Sequence, residues 1–207
     1  MESLQREPAE EGAVIFHFDF ASPYAYLAST QMDGLAERTG RRIIWRPMML
    51  GAAMKLTGAQ PLVLMPMRGD YARHDLKRFA AFLDVPFEMP PRMPIRSLAP
   101  ARAFYWLRDQ DGGKAVELAK ALFVAHFGRG EDIEPAATVA EIARSHGIDD
   151  TALLAGVEDS AIKETLKRET DRAIARGVFG APFFLVDGEP FWGADRLPHL
   201  ERWLLEG

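Results

Sequence analysis

Ser22 is the first residue whose type and position suit chemistry. It follows a run rich in Val, Ile and Phe and immediately precedes Pro23. That is a strand-to-helix turn, where Ser is favoured at the N-cap and Pro at the first helical position. Capping alone explains the serine. The same placement also suits an anion, because free N–H groups and the positive dipole end gather at a helix start. A thiol placed there drops from its usual pKa of about 8.5. A second segment, Gly177-Val178-Phe179-Gly180-Ala181-Pro182, stands just before a Phe-rich strand. It reads either as a turn into an edge strand or as a cis Ala181–Pro182 bond that opens backbone groups to a ligand. The third is Trp192-Gly193-Ala194-Asp195-Arg196-Leu197. There Asp195 is an ordinary first-turn carboxylate or the partner of a ligand ammonium.

Other chemistries find no support. His17, His74, His126, His146 and His199 lack metal-ligand spacing, so no metal is expected. No glycine-rich phosphate loop and no Gly-x-Ser-x-Gly is present. The chain has no cysteine, which excludes disulfides, thiolate metal sites and a protein-borne Cys nucleophile. Any sulfur chemistry must use a small-molecule thiol.

The composition of the 207 residues fits a globular enzyme-sized chain: 48% hydrophobic, 27% charged, net charge −5. A strongly basic face for nucleic acid is not expected. No run approaches the roughly 18 apolar residues that a membrane span needs. Met1–Gly12 is polar and acidic, unlike a signal peptide, so it reads as a solvated, disordered leader and the location as cytoplasmic.

The elements that must position these residues follow from pattern. Val14–Phe20 reads as a strand. Tyr24–Thr39 has helical spacing and stops at Gly40, and Arg42–Trp45 is a short strand ending at Pro47. Between Gly51 and about Arg172 little reads as strand. Helices are expected over 70–84, 101–109, 114–127, 138–146, 149–156 and 160–175, the last starting at a Ser160 cap, with an irregular proline-rich crossing over 86–100. Phe183–Val186 and Pro190–Trp192 flank Asp187-Gly188, the pattern of a hairpin. Asp195–Leu205 closes as a helix. The order βαβ, helices, ββα predicts an α/β fold: a thioredoxin-like core over 13–50 and 173–207, interrupted by an all-helical insertion over 51–172.

Together these motifs resemble a known family. Phe18-Asp19-Phe20-Ala21-Ser22-Pro23-Tyr24-Ala25-Tyr26-Leu27 is similar to the N-terminal signature of 2-hydroxychromene-2-carboxylate isomerases, relatives of kappa-class glutathione transferases in the DsbA-like thioredoxin superfamily. The resemblance continues through Trp45-Arg46-Pro47, Lys55-Leu56-Thr57-Gly58, Tyr71 with Asp75-Leu76, and Val85-Pro86-Phe87. It resumes at Gly177–Pro182 and ends at Phe191–Leu197.

The resemblance implies glutathione as cofactor, with Ser22 as the catalytic residue that activates its sulfur in place of a redox cysteine. It implies a cis Pro182, with the backbone at Ala181 pairing with the tripeptide. It places the γ-glutamyl end on Trp192, Ala194 and Asp195, and a carboxylate on Arg68, with Pro23 opening the helix beneath Ser22. A small aromatic substrate and a homodimer are implied as well. Ala59 and Ala194 stand where relatives often carry polar side chains, and Arg68 where they often carry Lys, a change in carboxylate geometry. The reaction implied is reversible thiolate addition to an enone, which frees rotation about a former double bond. A kappa-type transferase that releases the adduct, and a non-catalytic binding module in which Ser22 only caps, are the alternatives.

Overall fold

The computed structural model describes residues 10–206. Residues 1–9, most of the expected leader, lie outside that range. Glu10, assigned by its sequence to that solvated leader, is instead 3% exposed and accepts a hydrogen bond from Arg176 Nη1 at 2.9 Å. Arg172 and Arg46 approach the same carboxylate at 3.7 and 3.9 Å. A carboxylate among guanidinium groups can be buried where a lone one cannot.

Strands β1 (Val14–Phe18), β2 (Ile43–Pro47), β3 (Phe183–Val186) and β4 (Glu189–Trp192) form one sheet in the order β2-β1-β3-β4. β1 pairs parallel with β2 and antiparallel with β3, and β3 pairs antiparallel with β4. β1 stops at Phe18 rather than Phe20, because the next residues turn: Ser22 N donates to Asp19 O at 2.9 Å. The hairpin β3–β4 turns at Asp187 and Gly188, both with positive φ (51° and 92°), as a two-residue mirror-image turn requires. This strand order, with helices on the sheet's faces, is the expected thioredoxin-like α/β arrangement.

The helices are α1 (Pro23–Ser29), α2 (Met32–Thr39), α3 (Leu50–Thr57), α4 (Arg68–Phe82), α5 (Leu98–Arg108), α6 (Gly112–Phe123), α7 (Ala136–Ser145), α8 (Asp150–Glu158), α9 (Ser160–Ala175) and α10 (Leu197–Glu206). Among the described residues no strand lies between β2 and β3. The helix expected over 24–39 is two helices. Ser29 Oγ donates to Tyr26 O at 2.6 Å, Thr30 Oγ1 to Leu27 O at 2.8 Å and Gln31 Nε2 to Leu27 O at 3.2 Å, so side chains compete for the helix's own carbonyls. The helix expected through Phe127 ends at Phe123 and widens into a π-helical turn over Val124–Gly128. Asp159, not Ser160, caps α9, accepting from Ala161 N at 2.6 Å. α3 was not anticipated; Gly58, left-handed at φ 71°, ends it.

All five residues of β1 are buried. Val14, Phe16 and Phe18 face α1 and the helices of the insertion, with Phe18 5.5 Å from Phe123 and 6.0 Å from Phe104. Ile15 faces the other way, with Phe183 and Leu185, toward Met48, Ala53, Ala173 and Val178. A sheet covered on both faces explains the near-continuous apolar run.

Candidate active site

Ser22 is the N-cap of α1, with extended backbone (φ −100°, ψ 112°), Pro23 following it and its side chain accepting from Ala25 N at 3.2 Å. The capping role is therefore real. The hydroxyl hydrogen goes elsewhere: Ser22 Oγ donates to Ala181 O at 2.8 Å. The Ala181–Pro182 peptide is cis. Two segments separated by 159 positions thus meet at one hydroxyl. Ser22 is 6% exposed, so the hydroxyl is largely shielded from solvent.

Asp19, three residues before Ser22, is the main site residue the sequence did not single out. It is 3% exposed. Its Oδ1 accepts from Ala21 N at 2.8 Å and from the Ser97 hydroxyl; its Oδ2 accepts from Leu50 N at 2.7 Å. Burial raises the carboxyl above its ordinary pKa, and the hydrogen bonds from Ser97, Ala21 and Leu50 oppose that rise. One carboxylate thereby fixes the turn carrying Ser22, the start of α3 and the start of α5. The only sequence signal was an acid between two phenylalanines.

On the other side of α1, Tyr24 donates to Asp75 Oδ2 of α4 at 3.2 Å, and Asp75 is also paired with Arg78. Burial, then the Asp75 carboxylate, and more weakly Tyr71 and Asp195, push the Tyr24 phenol up. The short 3-10 turn over Ala194–Arg196 that carries Asp195 packs against α1. The Asp195 side chain is 66% exposed. Gly193 permits its pose: the residue has φ 108°, and a Cβ there would lie 2.4 Å from Asp195 Oδ1.

The remaining expected residues separate into two groups. Ala181, Pro182, Ser22 and Pro23 come together. Ala194 is 2% exposed and belongs to the hydrophobic core, so its methyl is packed against the protein rather than turned to a ligand. The Trp192 indole, 56% exposed, lies over Gly180, beside Ala181. Arg68 begins α4, is exposed, and makes no ion pair among the described residues. It sits seven residues before Asp75 on the same helix, not against Ser22.

The residues present fit a tripeptide thiol. A hydroxyl at a helix start suits a thiolate, a carboxylate suits an ammonium, a guanidinium suits a carboxylate, and backbone groups flank a cis proline. Nothing in the chain itself carries a thiol.

Comparison with known proteins gives concordant results. Residues 13–204 match the model of the DSBA-like thioredoxin domain. The chain is 33% identical over 199 residues to a 2-hydroxychromene-2-carboxylate isomerase of Sphingobium xenophagum, covering 92% of this chain and 97% of the relative. It is 29% identical over 203 residues to glutathione S-transferase kappa 1 of Caenorhabditis elegans, covering 92% and 89%. The solved structure of a 2-hydroxychromene-2-carboxylate isomerase superimposes with a TM-score of 0.86 at 28% identity, covering 94% of this chain and 95% of that one.

Proposed function

The chain belongs to the DsbA-like thioredoxin family, in its 2-hydroxychromene-2-carboxylate isomerase branch, and we propose from this that it is a glutathione-dependent cis–trans isomerase. Its substrate would be 2-hydroxychromene-2-carboxylate, in exchange with trans-o-hydroxybenzylidenepyruvate, or a related conjugated aromatic acid. The observation that carries the reading is the Ser22–Ala181 contact at the start of α1, in a chain without cysteine.

When bound, glutathione supplies a thiolate, a nucleophile able to add to an enone and leave again. The chain's residues do the rest. Ser22 Oγ turns its hydrogen from Ala181 O to the sulfur, while still accepting from Ala25 N, so the cap survives. The dipole of α1 adds to that stabilisation. The backbone at Ala181 pairs with the tripeptide, the Trp192–Asp195 segment takes the γ-glutamyl end with the Asp195 carboxylate on its ammonium, and Arg68 takes a carboxylate. Asp19 keeps the Ser22 turn in place. A homodimer in the cytoplasm completes the proposal.

The test is turnover. Purified protein with reduced glutathione should equilibrate the chromene and the open-chain pyruvate, and should do neither without the thiol. Accumulation of a stable glutathione adduct from a model electrophile, with no chromene turnover, would make the chain a kappa-type transferase. No binding of millimolar glutathione would remove both enzymes and leave a binding module.

A further inference from the structure

A cavity of about 260 Å³ opens in the helical insertion, walled by the start of α5, the connection into α7 and the end of α8. None of its lining residues is among those assigned to glutathione. Two arginines line it: Arg96, exposed on the loop before α5, and Arg102, partly buried on α5 itself. Neither guanidinium makes an ion pair or a hydrogen bond among the described residues, and Arg102 Nε is sealed from solvent without a partner.

The acids on the same walls are already engaged. Glu134 Oε2 accepts from Arg96 N at 2.9 Å and lies 3.3 Å from Arg92 Nη2. Glu158 Oε2 accepts from Lys163 Nζ at 2.6 Å. Positive charge is therefore left over at Arg96 and Arg102. The walls that hold it are close-set. A Cβ at Gly156 of α8 would lie 2.1 Å from Trp106 Cδ1 of α5, so the two helices nearly touch there. Arg102 stands four residues before Trp106, on the same face of α5, and Val157 and Glu158 follow Gly156. Ser97 gives α5 no side-chain cap, because its hydroxyl goes to Asp19. The uncapped first residues, Leu98 and Ala99, line the cavity as well.

A buried donor without a partner is rare in a folded chain, and a shielded charge without a counter-charge is costly. The start of α5 adds the positive end of its dipole. Guanidinium forks match the oxygens of carboxylates and phosphates. The volume lies below the roughly 300–1,000 Å³ of drug-sized pockets, which suits a phosphate group or a short dicarboxylate.

We propose that this cavity binds a small dianion, through carboxylate or phosphate oxygens held between Arg96 and Arg102. The ligand supplies the counter-charge that the fold withholds and ties α5 to α8. The site stands independently of the isomerase reading.

The experiment titrates sodium phosphate and sodium malonate, separately, into the full-length protein by calorimetry. The buffer holds no other oxyanion, sodium chloride keeps the ionic strength constant, and thermal melts run in parallel. Wild type is compared with Arg96→Gln, with Arg102→Met, which keeps an apolar stem, and with Arg202→Gln on α10. Wild type should bind one equivalent of a probe, with a saturable rise in melting temperature. Tighter phosphate marks the ligand as a phosphate ester, and tighter malonate marks it as a dicarboxylate. Arg96→Gln and Arg102→Met should bind about tenfold more weakly, and Arg202→Gln should equal wild type. Without a probe, Arg102→Met should melt at or above wild type, and a saturating probe should reverse that order. No saturable binding of either probe at millimolar concentration would overturn the site. Equal binding by all four proteins would place the anion elsewhere and overturn it as well. So would Arg102→Met melting below wild type without a probe, since the fold would then already satisfy the guanidinium.

Discussion

The Ser22 hydroxyl and the Ala181 carbonyl oxygen lie 2.8 Å apart, joining the first helix start to the loop before β3. In the proposed reaction this hydroxyl is the donor that turns to the glutathione sulfur, and the Ala181 carbonyl beside it is the acceptor for a peptide N–H of the tripeptide. Because Ser22 also caps α1, the donor is held by the same contacts that hold the helix.

Asp195 should recognise charge rather than support the fold. Its side chain is 66% exposed, and its ion pair with Arg196 Nη1 at 3.6 Å is a surface contact of little worth. Asp195→Asn should weaken glutathione about tenfold, the loss of about 1.4 kcal/mol, with no change in melting temperature. Calorimetry and thermal melts check it; unaltered affinity would remove Asp195 from the ammonium subsite.

Asp19 should matter to fold and activity together. Asp19→Asn keeps the shape but turns an amide NH2 toward a donor, leaving a buried group without its partner at about 1–3 kcal/mol. Ser97→Ala removes one donor and should cost less, about 1 kcal/mol. Urea unfolding should rank the two in that order, and kcat should fall more than KM rises, because the Ser22 turn is displaced. Equal stabilities would show that Asp19 does not organise the turn.

Glu10 should anchor the N-terminal segment. Glu10→Gln would leave the guanidinium groups around it short of a negative charge in a buried setting, a loss of about 3 kcal/mol. A urea midpoint within error of wild type would contradict the buried arrangement at Arg176.

His17 gives a pH dependence with a definite sign. It is 4% exposed, neither ring nitrogen has a hydrogen-bond partner among the described residues, and burial followed by Arg176, Arg46 and Arg172 lowers its pKa to about 3. An unfolded chain protonates it near 6.5. The neutral ring's contribution is therefore whole above pH 6.5 and is lost as pH falls from 6.5 toward 3, at about 1.4 kcal/mol per pH unit for one proton. His126, also lowered by burial, adds in the same direction. His17→Leu should reduce the acid slope by close to one proton while leaving stability at pH 7 equal or higher. An unchanged slope from pH-dependent urea melts would show that His17 is not the sensor.

What the sequence made legible was local. The Ser22-Pro23 cap, the Asp187-Gly188 turn and the β-branched and aromatic run of β1 each depend on neighbours in the chain, and each appears in the structure. What it hid was long-range. Asp19 acts through Ser97 and Leu50, which lie 78 and 31 positions away, and no spacing rule connects them. Glu10 reads as a leader residue until Arg46, Arg172 and Arg176 gather around it. Ala194 looked like a ligand contact by its place in a motif, but the core claims its methyl. The split between α1 and α2 is hidden because helical spacing persists through Thr30 while the side chains of Ser29, Thr30 and Gln31 take the helix carbonyls.

The central claim is that Ser22 stabilises a bound thiolate. The direct measurement is a pH titration of thiolate absorbance for glutathione bound to wild type and to Ser22→Ala. The account predicts a bound thiol well below the usual value of about 8.5 in wild type and a rise of about one unit or more in the variant. The variant should still bind glutathione and should lose about a hundredfold in turnover, the cost of one missing donor to a developing or resident anion. Identical titration curves for the two proteins would contradict it and reduce Ser22 to the cap of α1.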